Sequence, residues 1–161
     1  MHNLCPAPRI RDPLQLIPPA PDDQGRDNPE GLFGRRDERS DRQQRILLVE
    51  DEFLLSMVLA EDLQAAGYEV VGPCATVEGA MDAVQSELFE GAILDINLRG
   101  ELIYPVAEEL LRRRIPFLFL TGYSHSNIPE RFRAHPRLAK PAASTAILRE
   151  VDNILRVNRL T

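Results

Sequence analysis

The chain has 161 residues, of which 43% are hydrophobic and 27% charged, with no Trp. This length and balance suit one soluble domain with an appendage and exclude a fibre or a disulfide scaffold. A formal net charge of -6 repels a polyphosphate backbone and argues against direct nucleic-acid binding, while two distant cysteines, Cys5 and Cys74, without metal-ligand spacing read as the reduced thiols of a cytoplasmic protein.

Residues 1 to 45 are expected to form a disordered Pro-rich tail. Seven of the 13 prolines fall there, and neither helical nor strand periodicity is present. Eight Arg balance eight Asp and Glu in this stretch, so the net charge belongs to residues 46 to 161. Arg9, Arg11, Asp12 and five prolines within the first twenty residues leave no room for an apolar signal region, and no later run reaches membrane-spanning length. Leu14, Leu16 and Ile17 offer a docking peptide, but a flexible extension without activity is the better reading of such a segment.

From residue 46 short apolar runs alternate with amphipathic stretches, the pattern of buried parallel strands joined by helices. The runs are Ile46 to Val49, Tyr68 to Val71, Ala92 to Leu94, Phe117 to Leu120 and a weaker Leu138-Ala139. Leu55, Leu59, Leu63 and Ala66 recur at helical spacing between the first two, with Gly67 as a left-handed stop. Ala80, Ala83, Val84 and Leu88 predict a second helix. Val106, Leu110 and Leu111 predict a third, entered through Pro105 and closed by Arg112, Arg113 and Arg114 at its negative end. Ile147, Leu148, Val151, Ile154 and Leu155 form the stripe of a final helix. Five βα repeats with right-handed crossovers give a five-stranded parallel sheet with helices on both faces, and ligands then bind at the carboxyl ends of the strands.

Those ends carry Glu50 and Asp51 after the first strand, Asp95 after the third, Thr121 after the fourth and Lys140 after the fifth. Any one acid after a strand is most often a solvated turn residue or a helix cap. Three carboxylates converging on one edge, however, raise each other's pKa unless a divalent cation neutralises them, and a hard oxygen-ligated ion, most simply Mg²⁺, answers that need. Lys140 is the only lysine beside eighteen arginines and precedes Pro141; a compact point charge rather than a planar fork is used there.

The run Leu48-Val49-Glu50-Asp51-Glu52, the strand-end Asp95, Thr121-Gly122 and Lys140-Pro141 together resemble the receiver domain of two-component response regulators, over essentially all of residues 46 to 161. The stretch from Pro116 to Tyr123, with Leu98-Arg99-Gly100-Glu101, further resembles the atypical receiver subclass named for its Phe-Ala-Thr-Gly signature, from which Leu120 departs. The resemblance implies a flavodoxin-like, doubly wound α/β fold with strand order 2-1-3-4-5. It makes Asp95 the phosphoacceptor, Thr121 the switch hydroxyl and Lys140 the phosphate-contacting lysine. Mg²⁺ would be held by Asp51, Asp95 and the backbone carbonyl of Asn97, with Glu50 acting through water. Gly122 would leave room for the phosphoryl group.

The implied protein is a cytoplasmic single-domain response regulator of a phosphorelay, a phosphoprotein that catalyses only its own phosphorylation and dephosphorylation. Its phosphate would come from a sensor histidine kinase, of the HWE or HisKA2 type if the subclass holds. With no output domain expected after the last helix, it would signal by binding a downstream protein or by drawing phosphate from another regulator. Arg137 stands where receivers usually place an aromatic three residues before the lysine, so Tyr123 is the candidate reporter of the switch. Pro129 and weak periodicity from Ser124 to Arg133 predict a short or partly disordered fourth helix. His125 and His135 read as solvated loop residues.

Two other functions fit these residues less well. A haloacid dehalogenase-type phosphatase wants a second Asp two positions after the nucleophile, where this chain has Asn97, and needs a cap that no connection is long enough to supply. A receiver fold retained as a phosphorylation-independent binding module does not need the complete acidic set with Lys140.

Overall fold

The computed structural model describes residues 43–122 and 128–159. Residues 1 to 42 of the expected tail lie outside the described residues, as do Tyr123 and His125, whereas Arg45, expected to close the tail, opens the first strand instead and pairs with Glu69 and Glu87. Strands β1 (Arg45–Val49), β2 (Glu69–Cys74), β3 (Gly91–Asp95), β4 (Phe117–Thr121) and β5 (Arg137–Ala139) alternate with helices α1 (Phe53–Ala65), α2 (Val77–Ser86), α3 (Tyr104–Arg113) and α4 (Ser144–Arg159). All five strands pair in parallel in the order β2-β1-β3-β4-β5, as expected. Between β4 and β5 the described residues hold one 3-10 turn, Glu130–Phe132, in place of a fourth full helix.

Alternation along the buried strands builds two cores. Leu47, Val49, Phe117 and Phe119 face α2 and α3. Ile46, Leu48, Leu118 and Leu120 face α1 and α4, meeting Leu59, Leu63, Ile147, Val151 and Ile154. Strands buried on both faces need near-continuous apolar sequence, which explains the short unbroken runs. Each fully buried Leu, Ile or Phe contributes roughly 1.5–3 kcal/mol.

Local signals set the ends of the elements. Thr76 caps α2 by accepting from the Gly79 N–H at 3.1 Å. Arg114 closes α3 in the left-handed region, and Arg112 and Arg113 pair with Glu109 on the same helix. At Gly72 (φ 98°) a Cβ would stand 2.8 Å from the Leu48 carbonyl oxygen, so only glycine fits where the β1–β2 register shifts. One expectation fails here. Leu88 is 73% exposed rather than on the α2 stripe, because the helix stops at Ser86 and the extended Glu87 hands the inward position to Phe89. Among the described residues no helix is long and apolar enough to cross a membrane.

Candidate functional site: an acidic group bridged by one lysine

Register brings the strand ends together. Val49 lies beside Leu94, Asp95 beside Leu120 and Thr121 beside Ala139, so the residues that follow or end β1, β3, β4 and β5 share one edge. Glu50 sits at the start of the β1–α1 turn with its side chain wholly buried; its Oε1 accepts from the Glu52 N–H at 3.1 Å. Asp95 is nearly buried at the end of β3, and its Oδ1 accepts from the Asn97 N–H at 3.2 Å. One carboxylate oxygen from each of Glu50, Asp51 and Asp95 lies within 4.8 Å of the others.

Lys140 is the cation that joins this group. A backbone hydrogen bond from its N–H to the Thr121 carbonyl at 2.6 Å continues the β4–β5 ladder past Ala139. Its Nζ then reaches Asp95 Oδ2 at 2.8 Å and Glu50 Oε2 at 2.6 Å, with Glu52 4.0 Å away. Burial pulls the ammonium pKa down, but the hydrogen bonds and charges of Asp95 and Glu50 outweigh this and raise it. Burial raises the carboxyl pKa of Glu50, and the Asp95 charge adds to the rise, against the hydrogen bonds from Lys140 and the Glu52 backbone. Charges of one sign therefore outnumber their partners in a largely desolvated space.

The donor set fits a hard divalent ion: several carboxylate oxygens converge, and no sulfur or imidazole is among them. Asn97 follows at the start of a small antiparallel hairpin, Asn97–Leu98 against Glu101–Leu102, and its Oδ1 accepts from the Gly100 N–H at 2.6 Å. Thr121 is buried at the end of β4. A Cβ added at Gly122 would meet nothing within 4 Å, so the space beside it is open. Next to Lys140 an apolar cleft of about 640 Å³ opens between α1 and the start of α4, lined by Leu54, Val58, Pro141 and Ile147. Phe53, Leu54, Met57 and Val58 expose an apolar face on α1.

Every described residue expected at the site is therefore on this edge. Arg99, absent from that expectation, is there too, with Nε 3.6 Å from Asp51 Oδ2. His135, expected to be a solvated loop residue, is half-buried instead. It stacks on Phe117 at 4.6 Å, at the opposite end of β4 from the acidic group. Arg137 is exposed and its guanidinium donates to the Arg133 carbonyl, so β5 supplies no buried aromatic.

No family model matches the chain. The solution structure of SdrG from Sphingomonas melonis Fr1 is 41% identical, covering 70% of this chain and 97% of that one with a TM-score of 0.63. The signal receiver domain of a modulated diguanylate cyclase from Desulfovibrio desulfuricans G20 is 27% identical over 74% of this chain and 98% of its own, with a TM-score of 0.64. The transcriptional regulatory protein PdtaR of Mycobacterium tuberculosis is 30% identical over 112 residues, 67% of this chain; the chain spans about half, 55%, of that relative's length. The five-stranded 2-1-3-4-5 sheet, together with the likeness in sequence and fold to these relatives, leads to one conclusion: the chain belongs to the receiver domains of response regulators.

Proposed function

We propose that the chain is a response-regulator receiver domain whose Asp95 accepts a phosphoryl group from a histidine kinase. The observation that carries this reading is Lys140 Nζ held between Asp95 and Glu50, with Asp51 beside them. An oxygen of Asp95 attacks phosphorus in line; the new O–P bond forms as the P–N bond to the donor imidazole breaks, and the imidazole nitrogen keeps the electron pair. Lys140 is already poised on Asp95 and offers its remaining protons to an oxygen of the transferring group. Asp51, Asp95 and the Asn97 carbonyl, with Glu50 acting through water, would hold a Mg²⁺, which would supply charge neutralisation when bound.

Gly122 keeps the approach open, and the Thr121 hydroxyl turns toward the phosphoryl oxygens. The added charge then biases the connection after β4, where Tyr123 stands in for the aromatic that Arg137 replaces. The exposed apolar face of α1, made of Phe53, Leu54, Met57 and Val58, borders the site and suits a partner's helix. The Phe-Ala-Thr-Gly resemblance favours a kinase of the HWE or HisKA2 type. In this reading the protein works in the cytoplasm and signals through a protein partner or by competing for phosphate.

The test is incorporation of hydroxylamine-labile phosphate from a small phosphodonor in Mg²⁺. Asp95→Asn should abolish it, because an amide is not a nucleophile. Undiminished labelling of this variant would remove Asp95 from the role.

A further inference from the structure

Lys140 is committed to Glu50 and Asp95. Asp51, the third carboxylate, instead has Arg99 as its ion-pair partner, at 3.6 Å. The two cations differ in kind. Lys140 is largely enclosed, whereas the Arg99 side chain is 70% exposed and comes from a different loop. The three clustered carboxylates with Lys140 and Arg99 sum to one negative charge, and to two with the exposed Glu52 4.0 Å from Lys140, so a divalent ion entering next to Arg99 removes the negative excess that holds the guanidinium there. A guanidinium with an open path to water is the charge that can leave.

The backbone shows why Arg99 is within reach. Arg99 (φ 54°) and Gly100 (φ 95°) are the two central residues of the hairpin between Asn97–Leu98 and Glu101–Leu102. Positive φ at both positions is the signature of the tight turn that matches strand twist, and its first position favours Asn, Asp or Gly. An Arg held there is a local strain next to a functional group of residues.

We propose that Arg99 is a displaceable counter-ion: it holds Asp51 while the site is free of metal and yields it to the divalent cation on loading. Arg99 thereby acts as a positioning residue that weakens ion binding and stabilises the ion-free site. The inference rests on the divalent-ion part of the proposed function and needs no phosphate transfer.

The test uses the full unphosphorylated chain with Mg²⁺ alone, followed by amide chemical-shift titration and by thermal unfolding with and without EDTA. Arg99→Gln keeps side-chain length and removes the charge. Because an exposed pair of this kind is weak, that variant should bind Mg²⁺ only about two- to fivefold more tightly than wild type. Its unfolding midpoint should fall below wild type in EDTA, and the gap should close in saturating Mg²⁺. Arg99→Lys keeps the charge and should stay within about twofold of wild-type affinity. Equal affinities for wild type and Arg99→Gln, a midpoint gap indifferent to Mg²⁺, or Arg99→Lys tightening as much as Gln would each overturn the proposal. If wild type itself shows no Mg²⁺-dependent shift, the divalent-ion reading fails and this inference with it, whereas Asp95 labelling is scored separately.

Discussion

Asp51→Asn should stabilise the protein in EDTA and remove most of its stabilisation by Mg²⁺. The amide keeps the shape and deletes one charge from a group whose three carboxylates lie within 4.8 Å. Two unit charges at that separation repel by roughly 1 kcal/mol in water and roughly 3.5 kcal/mol at an effective dielectric of 20. The substitution relieves two such repulsions. Lys140, placed between the other two carboxylates, attracts Asp51 and cancels about one of them. Losing the exposed Arg99 contact removes about 0.2–1 kcal/mol, and losing a negative charge at the α1 N-terminus about 0.3–1 kcal/mol more. The net is a gain of about 1 kcal/mol without metal. Urea unfolding of wild type and variant, in EDTA and then in Mg²⁺, measures both halves. Destabilisation in EDTA, or equal stabilisation of both proteins by Mg²⁺, would show that the three carboxylates are not the strained, ion-seeking group described here.

Two further outcomes test the scaffold. Phe132, buried in the 3-10 turn, stacks on Tyr104 at 5.3 Å and meets Phe119 edge-on at 5.8 Å. Phe132→Ala should therefore lower unfolding stability by about 3–5 kcal/mol, and a loss below about 1 kcal/mol would mean that the turn is not anchored to the core. Burial holds the His135 pKa below its ordinary 6.5, so the unfolded chain takes up the proton first. Stability contributed by neutral His135 is full above about 6.5, erodes as pH falls below that value, and is lost once pH has passed the lowered pKa. His135→Phe keeps the ring on Phe117 and should flatten this part of the stability curve; identical slopes for the two proteins between about pH 5 and 7 would refute the assignment.

Much of the fold and of the candidate site was legible in the sequence because the information was local. Apolar runs such as Ile46 to Val49 and Phe117 to Leu120 must be strands buried on both faces, and stripes such as Ile147, Val151 and Ile154 must be helix faces. Once the strands are parallel, their carboxyl ends share an edge, and Glu50, Asp51, Asp95, Thr121 and Lys140 meet without any further information. Other features were decided by contacts between distant segments. The burial of Phe89 in place of Leu88 depends on where α2 leaves the sheet, and the stacking of His135 on Phe117 depends on how the chain returns to β5. Arg99 illustrates the difference most directly. Its position beside Gly100 marks a turn, but its approach to Asp51 follows from two successive positive φ angles and the pairing of β1 with β3. Periodicity encodes which face of an element is buried; the distance between two charges on different loops is set only when the sheet between them is assembled.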